Sequence, residues 1–145
     1  MRTLLLGCLL FAAAACGGAS STEAVSLRFS GSNAMPSPGG GFDSSTTMTT
    51  LDGIDLTLTA TTATARVDVE VEAPTMPMTV NIGERHLTVS YTLTGSGANA
   101  AWSSNSGSVV FESISPWRLR FDHVEMIPAA GGAKGAFYLD GTAKF

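Results

Sequence analysis

Two imidazoles, His86 and His123, are the only side chains in this sequence that titrate near neutral pH without help from their surroundings. Catalysis at neutral pH calls for such a base beside a nucleophile, or for paired carboxylates. Serine is plentiful, yet none stands in a G-x-S-x-G elbow or an S-x-x-K setting. No G-x-x-x-x-G-K-[ST] or H-E-x-x-H run occurs either. His86 follows a Gly83-Glu84-Arg85 turn and His123 sits at a break in strand alternation, so both read as surface or strand-edge residues. No catalytic residue is assigned, and the chain reads as non-enzymatic.

Metal chemistry has two starting points. Asp68, Glu70 and Glu72 alternate with valines and project from one face of one strand. Calcium needs six to eight oxygen ligands, and three side chains on a straight strand diverge too far to cage it. A solvated face paired with Arg66, Arg118 or Arg120 is expected instead. Met76-Pro77-Met78, with His123 and Met126 elsewhere, offers soft ligands suited to copper. Met76 and Met78 also alternate with Val80, which is ordinary for a strand. No metal ligand and no cofactor is therefore assigned.

Binding chemistry points to Trp102. "NAAWSSNSG" places it among small polar residues in an expected loop, where an exposed indole could stack on a sugar or anchor a protein contact. Asn99 and Asn105, with Ser104, would supply hydrogen bonds there. The alternative is that Trp102 folds back over the end of the domain. Trp117 alternates with Leu119 and Phe121 and reads as core. A lipocalin-like carrier would show G-x-W near its first strand. Trp102 follows Asn99-Ala100-Ala101 and Trp117 follows Ile114-Ser115-Pro116, so neither fits.

The elements that must position these residues are strands. Alternation runs through Val25–Ser30, through Ile54, Leu56 and Leu58 after an Asp52-Gly53 hairpin signal, and through Val67, Val69 and Val71. It continues in "MTVNI", "HLTVSYTLT", "SVVFESI", "PWRLRFDHVEMI" and "AFYLDGTAKF". The phase slips after Phe121, which one extra residue near Asp122-His123 would explain as a β-bulge. Gly31 to Thr47 and Gly95 to Gly107 read as irregular. No window holds helical spacing. The expected fold is all-β, an antiparallel sandwich (immunoglobulin-like or jelly-roll-like) of about seven to nine strands, with a small closed barrel as the alternative.

Composition limits the partners. Net charge is −4 and only 14% of residues are charged, with no Lys/Arg cluster, so no nucleic-acid footprint is present. The N-terminus is different in kind: Arg2, an apolar run from Leu4 to Ala15 and a small-residue exit form a secretory signal pattern. The run is shorter than the roughly 20 residues of a spanning helix. Both cysteines lie here. Cys8 reads as apolar filler, and a Cys8–Cys16 disulfide would require the signal to be retained.

Ala13-Ala14-Ala15-Cys16 resembles the lipobox of bacterial lipoproteins. The resemblance covers the signal region alone. It implies removal of residues 1–15 and acylation of Cys16 with palmitate-type chains. With Gly17 rather than Asp after the cysteine, it also implies delivery to the outer membrane. Residues 16–24 would then be a lipidated tether and 25–145 a single β domain. The expected function is a lipid-anchored cell-envelope module, structural or binding, with a protein or glycan partner. The alternative is an envelope carrier for a small molecule or metal that uses a barrel interior.

Overall fold

A computed structural model describes residues 24–31, 41–94 and 100–145. Ten strands follow one another: β1 (Val25–Ser30), β2 (Gly41–Ser44), β3 (Thr46–Asp52), β4 (Asp55–Thr61), β5 (Ala65–Glu72), β6 (Met78–Asn81), β7 (Thr88–Leu93), β8 (Ala100–Ile114), β9 (Trp117–Ala130) and β10 (Phe137–Lys144). A 3-10 turn, Glu84–His86, stands between β6 and β7.

All strands belong to one antiparallel sheet in the order β2-β1-β10-β9-β8-β7-β5-β4-β3, with β6 also pairing β8. The two ends of that path, β2 and β3, are separated in the chain by Ser45 alone. Ser44 is the corner: its buried hydroxyl donates to the Thr61 carbonyl at 2.6 Å and accepts the Thr46 N–H at 3.1 Å. One bent strand thus pairs β1 with its first half and β4 with its second. In the same way β6 and β7 lie end to end along β8. The sheet is nearly closed into a barrel of eight up-and-down staves, so the barrel alternative describes the fold and the two-sheet sandwich does not.

Closure follows from the side-chain pattern. With period two, one face of every stave is apolar, and curling the sheet buries that face without a second layer. Val25, Leu27, Leu56, Leu58, Val67, Val69, Val89, Val109, Phe111, Leu119, Val124 and Leu139 fill the interior at 0–1% exposure. The outer face is mostly Thr, Ser and charge, with a few exposed apolar side chains such as Met48 and Leu51.

Three segments depart from expectation. Gly41–Ser44 and the start of Thr46–Asp52, expected to belong to an irregular stretch, pair with β1 and β4. The strand expected over 108–114 begins earlier, at Ala100, so that Ala100–Ile114 is one long strand whose first half was expected to be irregular. Its Ala, Ser and Asn residues have poor strand propensity, but pairing with β9 along its length overrides this. Gly107, at φ 100, takes up a bulge in the middle of it. Ile54, expected to alternate inward with Leu56 and Leu58, is exposed, as is Leu51 on the other side of the turn. The two-residue turn Gly53-Ile54 takes Ile54 out of phase, and the end of β3 has only β4 as a neighbour. The bulge expected at Asp122-His123 is present: β9 spends two residues between Phe121 and Val124 where β10 spends one between Gly141 and Leu139.

An up-and-down barrel sorts its connections to two ends. One end carries Ala24, the short turns 53–54 and 115–116, the link 73–77 and Phe145. The other, called the mouth here, carries Gly31, Gly41, the turn 62–64, Thr94, Ala100 and the turn 131–136.

On the outer wall, Arg28 Nη1 donates to Asp43 Oδ1 at 2.7 Å and Ser26 Oγ donates to the same oxygen at 2.8 Å. These bonds hold the Asp43 carboxyl below the ordinary aspartate range. A carboxylate with a depressed folded pKa stabilises above the unfolded value and loses that contribution as pH falls. The pair is well exposed, so the effect is small. Asp43→Asn is expected to flatten slightly the acid limb of urea-unfolding stability below about pH 4. An unchanged limb would show that the pair carries no weight.

Candidate functional site

The mouth is closed from inside by five aromatic rings. Phe29 lies 5.1 Å from Tyr91 and 4.9 Å from Phe137, and Phe42 lies 6.2 Å from Tyr91. Trp102 completes the set at 5.8 Å from both Tyr91 and Phe137. Tilted and edge-on arrangements of this kind are the favoured ring geometry. β1, β2, β7, β8 and β10 each deliver one ring, at inward positions of the pleat.

Trp102 is thus not a loop residue with an open face. It is 3% exposed in β8, and its Nε1–H donates to the Gly135 carbonyl at 3.0 Å. The indole folds into the end of the barrel and ties it to the 131–136 turn. Asn105 is on the outer wall, where its amide donates to Glu125 Oε2 at 2.7 Å beside the Ser106 hydroxyl at 3.0 Å. Those two bonds hold the Glu125 carboxyl below its ordinary value. Trp102 and Asn105 therefore occupy opposite faces of the sheet rather than one binding surface. Asn99, like Cys8 and Cys16, lies outside the described residues. Ser104 accepts the Val89 N–H at 2.9 Å and serves the β7–β8 junction. Sequence held one signal for Trp102's true place: Ala100 and Trp102 alternate as buried strand residues do.

Outside the rings is a depression of about 220 Å³ lined by Gly41, Phe42, Asp43, Thr62, Thr64, Ala65 and Tyr91. Burial pushes the Tyr91 hydroxyl up to about 12. Because its folded value lies above the unfolded one near 10, Tyr91 favours the folded state below pH 10. That preference is lost as pH rises toward 12. Tyr91→Phe is expected to flatten the alkaline limb of the stability curve, read by urea unfolding between about pH 9 and 11. An equal slope in both proteins would contradict it.

A second depression of about 370 Å³ lies on the wall, lined by Asp55, Leu56, Thr57, Glu70, Val71 and His86. His86 reaches it because the 3-10 turn interrupts the β6–β7 stave with Arg85 and His86 both at positive φ, 48 and 59. Arg85 braces the turn, donating to the carbonyls of Glu72 and Ala73 at 3.3 Å each. The site could accept a hydrogen-bonding or cationic group. Among the described residues, no three His, Cys, Asp or Glu side chains are grouped to hold a metal ion.

The remaining sequence candidates are dispersed. Asp68 pairs with Arg66 at 2.7 Å along its own strand and accepts from Thr59 at 2.6 Å, while Arg120 pairs with Glu112 and Asp122. Met126 is buried in the interior, whereas Met76 and Met78 are exposed. The His123 ring stacks on Tyr138 at 4.0 Å, and the His123 backbone N–H donates to Asp140 Oδ1 at 2.7 Å. Trp117 is half-buried against Phe111 at 6.2 Å. Comparison with protein-family models, with curated proteins and with solved structures gives no match in any of the three.

Proposed function

We propose that this chain is a lipid-anchored, non-enzymatic protein of the cell envelope, held to the outer membrane through Cys16, whose barrel is a structural or binding module for a protein or glycan partner. The observation that supports the reading is the sorting of connections. Ala24, where a tether from Cys16 enters the barrel, shares its end with two-residue turns, and the longer described turn 131–136 is at the mouth. A barrel standing on that tether presents its more elaborate loops away from the membrane, and loops on a rigid scaffold are where recognition is commonly built. The filled interior favours a module over a carrier. The mouth depression supports a carrier as a second reading only for a ligand of a few atoms, since 220 Å³ is below the roughly 300–1,000 Å³ of ordinary ligand pockets.

Fractionation of cells expressing the full chain tests the anchor. Wild type is expected in the outer-membrane fraction and Cys16→Ser in the soluble fraction. A soluble wild type overturns the reading. A photo-crosslinking residue at position 134, in the mouth turn, is expected to capture an envelope protein or glycan, and no adduct from that end would remove the binding module.

A further inference from the structure

Six large apolar side chains are exposed among the described residues, and four of them lie on two adjoining segments. Leu51 (58%) and Ile54 (63%) flank Asp52-Gly53, while Met76 (63%) and Met78 (36%) lie in the 73–77 link and at the start of β6. The segments adjoin because Asp55 is paired with Glu72 and the Ala73 N–H donates to the Ile54 carbonyl at 2.7 Å. Single exposed apolar residues are ordinary; four gathered on one rim mark a contact surface.

We propose that this rim docks on the surface of the bilayer that holds the Cys16 acyl chains, a proposal that rests on the anchored reading above. The topology names the occupant. The rim is at the end where Ala24 leaves the barrel, and Ala24 is fixed there by accepting the Lys144 N–H at 2.6 Å. Residues 17–23 separate it from Cys16, a reach of about 25 Å at full extension. A chain that short holds the rim at high effective concentration beside the headgroups. Leu, Ile and Met side chains can enter the boundary between headgroups and acyl chains. Asp52, Asp55 and Glu72 stand beside them, so the rim suits zwitterionic headgroups and is repelled by anionic ones. Hydroxyl-rich outer staves remain in water.

The test uses the full chain, expressed with lipidation and reconstituted in phosphatidylcholine vesicles. A fluorophore is attached at position 75 (Thr75→Cys) or at position 134 (Lys134→Cys), both exposed. Iodide quenching is expected to fall severalfold at position 75 relative to position 134. Adding Leu51→Ser and Ile54→Ser is expected to restore it with an unchanged melting temperature, since both side chains are already in solvent. Flotation and the mass of the N-terminal peptide report the anchor separately. A chain that floats with its acyl mass but is quenched equally at both positions overturns docking and leaves the anchor standing. A chain without acyl mass removes the anchor and the docking with it. Protection at position 75 that appears without vesicles and grows with protein concentration would assign the rim to a second copy and overturn the proposal.

Discussion

Replacing Trp102 by alanine is expected to lower the unfolding free energy by about 3–5 kcal/mol, the usual loss for a buried tryptophan. The indole is 3% exposed, touches Tyr91 and Phe137, and carries the bond to Gly135 that fixes the mouth turn. Its removal leaves a hole among four rings held by four other strands, and little of it can be refilled without moving a stave. Trp102→Phe keeps most of the packing and gives up the bond, so it is expected to cost less than Trp102→Ala, the bond itself contributing about 1 kcal/mol. Urea unfolding of the two variants reads both figures. An unchanged midpoint in Trp102→Ala would mean that the indole lies outside the barrel, and the closed mouth described above would be wrong.

The second large effect is expected at Gly141. Its φ is 139, and an added Cβ would overlap the Ser26 carbonyl oxygen and stand 2.9 Å from the Leu27 Cα. Both obstacles are backbone of β1, the strand that closes the ring against β10. Gly141→Ala is expected to cost about 2–4 kcal/mol, combining a forbidden backbone angle with overpacking. Gly53→Ala is the comparison: φ is 62 but nothing lies within 4 Å, so only the backbone cost of about 1–2 kcal/mol remains. If the two variants unfold at the same urea concentration, β1 is not seated on β10 as described.

Much of this was legible in the residues. Val67, Val69 and Val71 declare their faces by alternation, Asp52-Gly53 declares a hairpin whose turn the structure places one residue later, at Gly53-Ile54, and the slip after Phe121 declares the bulge that the structure puts at Asp122 and His123. The second half of β8, 108–114, was legible, but residues 100–107 were hidden, because their strand character comes from pairing with β7 and β9 rather than from their own Ala, Ser and Asn side chains. Closure was hidden too. Period two says that one face is buried but not whether a second sheet or the same sheet covers it. That choice is made by the corner at Ser44 and by β1 meeting β10, contacts between residues far apart in sequence. The candidate site failed for a related reason: Trp102 and Asn105 are near in the chain, but once this stretch is a strand their odd spacing sends one inward and the other outward.

The β1–β10 pairing has one more consequence. With Ala24 and Lys144 joined by a hydrogen bond, the staves form a ring in which the chain's starting point is nearly arbitrary. A circularly permuted chain, its old ends linked and new ones opened in the 131–136 turn, keeps every strand pairing and relocates only the point of attachment. An acyl group added there would hold the molecule upside down, mouth toward the lipid. If the proposed anchor holds, orientation on the membrane follows from where the ring is cut, and the permutant would invert the protein without altering its surface.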